Sequence, residues 1–479
     1  MEDSKQALTV TQSVGQGLLG RLKTFRNVWR DIASSLGAPV RIAPELPADD
    51  AEILRAQMRD CLQGRGGEVS ARARAAALGR SYLALNDEGR RRFLRILADE
   101  FGTDRAQVDA AMAKVSSATT PVERLAAEEA LRAVLESPRL RLLTQFNGLP
   151  EGVKFLVDMR AELLGLVKGD PSMAALESDL KDLLGSWFDV GFLELQRITW
   201  RSPAVVLEKI IAYEAVHAIQ GWQDLKNRLD YDRRLYAFFH PRMPDEPLIF
   251  VEVALVKGIA GNIHDLLDES APVEDPLKAD TAIFYSINNA HKGLVGISFG
   301  NFLIKRVVDS LSHEFPNLKT FATLSPVPGF RAWLDGRLAA GEARLLTPAE
   351  HRLLAGLMTQ GLSAKGSLKA LLTTAWQEDQ TTAEQLRGPL MRLCARYLTE
   401  KRKGGGRALD PVAHFHLSNG ARLERLNWLA DTSPKGMAQS AGMMINYLYK
   451  LSDIEGNHEG YTGQGKIVAS TGVKALLKE

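Results

Sequence analysis

The chain has 479 residues, 45% hydrophobic and 25% charged, an ordinary globular composition long enough for two or three domains. Sixty basic residues against 58 acidic ones leave a formal charge of +2, which excludes a global pull on nucleic acid or an anionic membrane, so any anion site must be local. Two cysteines, Cys61 and Cys394, lie far apart and outside any Cys-x-x-Cys spacing, which argues against a disulfide scaffold or zinc ribbon and for a reducing, cytoplasmic setting.

The first residues, Met-Glu-Asp-Ser, lack the basic and apolar regions of a secretory signal. Residues 16–31 resemble a basic amphipathic presequence but read more simply as a surface helix. No apolar run reaches the roughly 18 residues needed to cross a bilayer, and the longest candidate, Leu248 to Val256, is interrupted by Glu252. From the start to about residue 190, alanine, leucine, arginine and glutamate dominate at helical spacing. Phe93, Leu94, Leu97 and Phe101 share one helix face. Thr120, Pro121 and Glu123 spell a helix start in which the threonine caps and the glutamate reaches back to the cap amide. Residues 1–189 therefore read as an all-helical bundle.

Beyond them, "RRLYAFFHPRMPDEPLIFVEVALVKG" carries two apolar, β-branched runs around three prolines, the pattern of paired strands and a loop. Residues 281–287 ("TAIFYSI") read as a strand, 301–313 as a helix striped with Leu303, Ile304, Val307, Val308 and Leu311, and 318–324 as another strand. Such a βαβ unit makes its two strands parallel and puts the intervening loop at their carboxyl ends, with Ser325 emerging at the same edge. Residues 340–400 return to helix. "DPVAHFHLSNGARLERLNWLAD" reads as strand, turn at Ser418-Asn419-Gly420, and strand.

Three stretches carry chemistry. Gly296-Ile297-Ser298-Phe299-Gly300 matches the nucleophile-elbow pattern, yet no upstream His-Gly-Gly oxyanion stretch exists and the first half is helical, although Asp410 and His416 are available downstream. The same glycines, with Gly293, can instead turn backbone amides toward a phosphate ahead of a helix, with Lys305 and Arg306 one turn in. The segment lacks both the Gly-Lys-Ser/Thr and the Gly-x-Gly-x-x-Gly signatures. His414-Phe415-His416 would place two imidazoles on one strand face, a spacing some zinc sites use, but no third ligand of fixed spacing accompanies them.

Several long blocks in order, from "FYSINNAHKGLVGISFGNFLIKRVV" through "FPNLKTFATLSPVPGF", "PLMRLCARYL", "DPVAHFHLSNGARLERLNWLAD" and "GMMINYLY", closely resemble the malonyl-CoA decarboxylase family. The resemblance spans about residues 190–470. It implies an α+β protein: an N-terminal helical domain for oligomerisation or interaction (1–189), then a mixed α/β catalytic domain like the acyl-CoA N-acetyltransferases (GNAT fold, 190–479). It implies conversion of malonyl-CoA to acetyl-CoA and CO2 by a homotetramer without metal or other cofactor, and no nucleic-acid or membrane partner. On this resemblance Ser325 and His416 are the catalytic pair, and Val295, Gly296, Ile297, Ser298, Phe299, Gly300 and Asn301 form the CoA-binding loop. Ser286 and Tyr449 match further pocket positions. Ser298 stands where animal members carry a carboxylate. An acyl-CoA-dependent acetyltransferase, or a helical adaptor without catalysis, are the alternatives from other classes.

Overall fold

Among the described residues up to 188, helix signals become helices because capping residues and apolar stripes coincide. The computed structural model describes residues 28–33, 41–63, 67–188, 190–297, 303–342, 344–359, 368–402 and 405–478. The chain divides into two compact units. The first comprises Met1–Glu194, Phe239–Leu248 and Asn289–Phe299; the second comprises Leu195–Phe238, Ile249–Asn288 and Gly300–Glu479.

The first unit is built on α1 (Ala48–Leu62), α2 (Glu68–Ala84), α3 (Asp87–Glu100), α4 (Arg105–Ser117), α5 (Pro121–Leu135), α6 (Pro138–Thr144), α7 (Gly152–Leu163) and α8 (Pro171–Trp187). Asn86 caps α3 through the Gly89 amide, and Phe93, Leu94 and Leu97 turn inward with the following Phe101. At α5 the expected capping box is present, with Thr120 accepting from the Glu123 amide and Glu123 accepting from the Thr120 amide. Trp29, Tyr82, Phe93 and Phe155 form an aromatic centre of edge-on contacts, with centroids 5.0 Å apart for Trp29–Phe155 and 4.9 Å for Tyr82–Phe93. Most of the stretch resembling a presequence lies outside the described residues.

An eight-stranded sheet runs in the order β1-β2-β3-β4-β5-β8-β6, with β7 paired to β8. β1 is Glu194–Ile198, β2 Arg233–Phe239, β3 Ile249–Val256, β4 Thr281–Asn289, β5 Thr320–Thr323, β6 Ser325–Pro326, β7 Arg422–Asn427 and β8 Met444–Leu448. The proline-rich loop joins antiparallel β2 and β3, Leu235 opposite Glu252. Both strands are buried on both faces, which is why they read as continuous apolar runs instead of alternating ones. The βαβ expectation holds: β4 and β5 are parallel with Phe284 opposite Thr323, and the buried stripe of the intervening helix is the one expected. Leu324 N still donates to Phe284 O (3.0 Å), after which Ser325–Pro326 pair with β8. Ile283, Tyr285, Ala322, Leu324 and Met444 pack as one core cluster on the sheet.

In the second unit α9 (Ala204–Tyr213), α10 (Trp222–Arg228), α11 (Leu303–Glu314), α12 (Phe330–Ala339), α13 (Gln380–Thr399) and α14 (Pro411–Ser418) matter below. The last overturns an expectation. "PVAHFHLS" is helix, because Pro411 occupies the first helical position and Asp410 accepts from the Ala413 amide. The turn and the strand after it are where the sequence puts them. Cys61 and Cys394 are both buried and free. Among the described residues no helix is long and apolar enough to cross a membrane.

Candidate active site

α14, β5, β6 and β8 deliver one hydrogen-bonded chain of side chains, all within the second unit. Ser325, the first residue of β6, holds its Oγ 3.2 Å from His416 Nε2 and 2.9 Å from Thr323 Oγ1. On the far side of the imidazole, His416 Nδ1 lies 2.8 Å from the Tyr449 hydroxyl. Ser325, His416 and Tyr449 are all buried. The imidazole stacks on Tyr447 at 4.4 Å between centroids and 24° between planes. Tyr449 meets Phe284 of β4 edge-on at 6.4 Å.

Burial alone pushes His416 down to about 3, so the ring is neutral at physiological pH, with one N–H and one acceptor nitrogen. Burial also holds the Tyr449 phenol well above its ordinary range, keeping it protonated. A protonated phenol donates to Nδ1, which leaves the ring proton on Nε2, facing Ser325.

Asp410 is not the third member of a hydrolase triad. Its carboxylate accepts from the Ala413 amide (2.7 Å) and from the Tyr397 hydroxyl (3.0 Å), while the imidazole nitrogens are taken by Ser325 and Tyr449. Its work is to fix the start of the helix that carries His416. A methyl at Gly329 would come 2.1 Å from the Tyr397 oxygen, so the glycine admits the tyrosine that completes this anchor. Asp410→Ala is expected to cost about 1–2 kcal/mol, from the lost cap and the stranded phenol; a urea midpoint unchanged from the parent would contradict this.

His414 and His416 diverge because they lie on a helix, where positions two apart point roughly 200° from each other. His414 Nδ1 instead approaches the Tyr461 hydroxyl at 2.8 Å. The paired-imidazole expectation rested on a strand and is corrected with it.

Ser286 lies on β4 but hydrogen-bonds elsewhere: its hydroxyl donates to Glu214 (2.8 Å), and the Asn288 amide donates to both Ser286 (2.6 Å) and Glu214 (2.6 Å). Glu214 neighbours Glu252 of β3, which is fully buried and ion-paired to Arg228 of α10 (3.0 Å). Burial and the charge of Glu214 outweigh that guanidinium and push Glu252 up to about 8, so its carboxyl is mostly protonated at neutral pH. A proton on Glu252 Oε1, which otherwise has no partner among the described residues, gives it a donor function. Arg228 also grips Asp224 through two bonds, of 2.7 and 3.1 Å. Sequence reasoning missed this network. Its signal was the lone Glu252 inside an apolar strand.

Of the expected loop, Val295, Gly296 and Ile297 belong to the first unit; Ser298, Phe299, Gly300 and Asn301 lie outside the described residues. Gly296 has φ +76°, a conformation that suits glycine and lets the chain turn sharply. Lys305 pairs with Glu455 at 3.4 Å, and Arg306 lies over the Phe238 ring.

Residues 191–479 match the malonyl-CoA decarboxylase C-terminal domain, and residues 101–188 match the N-terminal domain of the same family. The chain belongs to the malonyl-CoA decarboxylase family. It is 42% identical to the mitochondrial malonyl-CoA decarboxylase of Anser anser anser, over 85% of this chain and 84% of that one. Against the mitochondrial enzyme of Rattus norvegicus the identity is 40%, over 88% and 85%. Among solved structures, malonyl-CoA decarboxylase from Rhodopseudomonas palustris superposes with a TM-score of 0.81 at 43% identity, over 88% of this chain and 99% of that one. The Agrobacterium vitis protein gives 0.79 at 43%, over 89% and 100%.

Proposed function

We propose that this chain converts malonyl-CoA to acetyl-CoA and CO2, with Ser325 and His416 as the catalytic pair. The observation that carries the reading is the buried Ser325–His416–Tyr449 chain in a member of this family.

Breaking the C–C bond sends its electron pair into the thioester carbonyl, forming an enolate as CO2 leaves. The thioester is itself the electron sink, so the reaction in this reading needs no metal or other cofactor. Ser325 holds the malonyl carboxylate with its C–C bond out of the thioester plane, where it overlaps the carbonyl π system. The Nε2–H of His416 then protonates the enolate carbon. As it does, the Tyr449 proton shifts to Nδ1, so the ring stays neutral and the phenolate is reprotonated from water. In this reading Tyr449 acts through His416.

In this reading the Val295–Asn301 segment takes the diphosphate, and Ser286 is a further pocket position whose hydroxyl is engaged with Glu214. The glycine-spaced loop between parallel β4 and β5, and the departure of Ser325–Pro326 from β4 toward β8, support a GNAT-like fold with an opening for an extended arm. A homotetramer is the assembly this reading takes. The α4–α5 hairpin supports it: α5 buries none of its described residues and exposes Val122, Leu125 and Leu135, with Met112 exposed on α4. Two buried free thiols support a reducing compartment, the cytoplasm.

The test is CO2 release from malonyl-CoA by EDTA-treated protein across about pH 5.5–8.5. Because His416 sits near 3 instead of its ordinary 6.5, kcat/KM should lack an inflection near 6.5 belonging to it. An inflection there that vanishes in His416→Gln would contradict the neutral ring. Acetylation of amine acceptors by acetyl-CoA with no CO2 release from malonyl-CoA would favour the acetyltransferase instead.

A further inference from the structure

Within the first unit, the segment that leads into the glycine-spaced loop is held by a side chain from the helical half. Arg160 of α7 is 1% exposed, and its guanidinium donates to two consecutive turns of that segment, to Gly293 O at 2.5 Å and Val295 O at 2.9 Å. Its remaining face is fixed by Glu177 of α8 through bonds of 3.0 and 2.6 Å. The contact is close-fitting, since a methyl at Gly293 would meet Val157 O at 1.8 Å. A planar fork that satisfies two carbonyls and a carboxylate at once fixes direction as well as distance, which a lysine ammonium does not.

One turn beyond Glu177 on α8 lies Lys181. A methyl at Gly296 would lie 3.9 Å from its Nζ, and among the described residues this ammonium has no hydrogen-bond or ion-pair partner. An uncommitted cation thus stands beside the positive-φ glycine at the point where Val295 and Gly296 are exposed.

We infer that Lys181 offers its ammonium to the phosphates of coenzyme A beside Val295 and Gly296, and that Arg160 is the positioning residue that holds this segment for them. This rests on the reading of Val295–Asn301 as the CoA loop. Backbone amides alone supply partial charges, whereas the nucleotide end of coenzyme A carries several full ones, so a side-chain cation at the loop base adds affinity that the pantetheine end does not feel.

The test compares Lys181→Met, Arg160→Lys and Arg160→Gln with the parent on two substrates, malonyl-CoA and malonyl-pantetheine, which lacks the nucleotide and its phosphates. Lys181→Met should raise KM for malonyl-CoA roughly five- to twentyfold with kcat retained, and raised salt should narrow the difference. Arg160→Gln should raise KM at least as much, Arg160→Lys only partly restoring it. On malonyl-pantetheine, parent and Lys181→Met should coincide. Lys114→Ala, an exposed change on α4, should leave both substrates untouched. An unaltered KM in Lys181→Met, or an equal rise on both substrates, overturns the phosphate assignment. Arg160→Gln that melts with the parent and keeps its KM overturns the positioning role. A parent that releases no CO2 from malonyl-CoA would sink the underlying reading instead.

Discussion

On the proposed reading, His416→Ala is expected to lower kcat for malonyl-CoA turnover by roughly 10²- to 10⁴-fold, the usual worth of a placed proton donor, with affinity for coenzyme A itself retained. Ser325→Ala should also lose most turnover, and the double variant should be little worse than the worse single one, because two groups that act on one reacting centre are not additive. The neutral His416 ring makes the expectation sharp. Its N–H is a weak acid, adequate for a basic enolate carbon but not for rescuing a poorly placed substrate, so misplacing it forfeits the proton transfer. Steady-state CO2 release, with coenzyme A binding measured separately, checks both parts. Intact turnover in either single variant removes that residue from the chemistry.

The second large effect falls on stability. Arg228→Met removes the cation from a site holding Glu252, Asp224 and, next to Glu252, Glu214, all buried. Breaking such a buried pair costs about 3–5 kcal/mol, because the Asp224 and Glu252 carboxyls lose the donors that satisfy them where no water can replace them. Equilibrium urea unfolding at pH 7 measures it, and a loss below about 1 kcal/mol would show that Arg228 is dispensable to the network. Adding Glu252→Leu should recover part of the loss. The pH dependence has a definite sign. Glu252 is pushed up to about 8 in the folded chain, above its ordinary 4.5, so between those values the folded state holds more protons than the unfolded one. This group's contribution therefore favours folding below about pH 4.5 and is lost as pH rises toward 8. Without Arg228 the carboxyl rises further, so this group's part of the Arg228→Met deficit should emerge only as pH rises through 8, where the parent ionises and the variant does not.

Local signals in the sequence suffice where one pattern dominates a segment. The strands at Thr281–Asn289 and Thr320–Thr323 follow from short, mostly buried runs and the helix Leu303–Glu314 from its 3.6-residue stripe, and the parallel pairing of the strands follows from topology. The segment around His416 failed for a physical reason. Eight residues are too few to separate a period of two from one of 3.6, and "VAHFHL" alternates by chance. The decisive signal, Asp410 followed by Pro411, was a capping signal and not a hydrophobic one. Nor could spacing reveal that Ser325 meets a histidine 91 positions away, and that this histidine meets a tyrosine 33 positions further on. Those contacts are produced by the strand registers of β6 and β8 together with the placement of α14, which carries His416, and only the resemblance to a family pointed to them. Lys181 and Arg160 carried no local mark at all, since a basic residue on an amphipathic helix looks the same whether it meets solvent or a loop.

Burial of the two cysteines reaches beyond packing. Burial pushes Cys61 up to about 12 and Cys394 well above its usual range, which leaves on the order of one Cys61 thiolate in 10⁴ to 10⁵ molecules near pH 7.5. Alkylating agents, peroxide and mixed disulfides all attack through that anion, so the native chain offers them almost nothing to seize. Oxidation or alkylation of these two thiols is therefore expected to report unfolding of the chain around them and not a switch in the folded state.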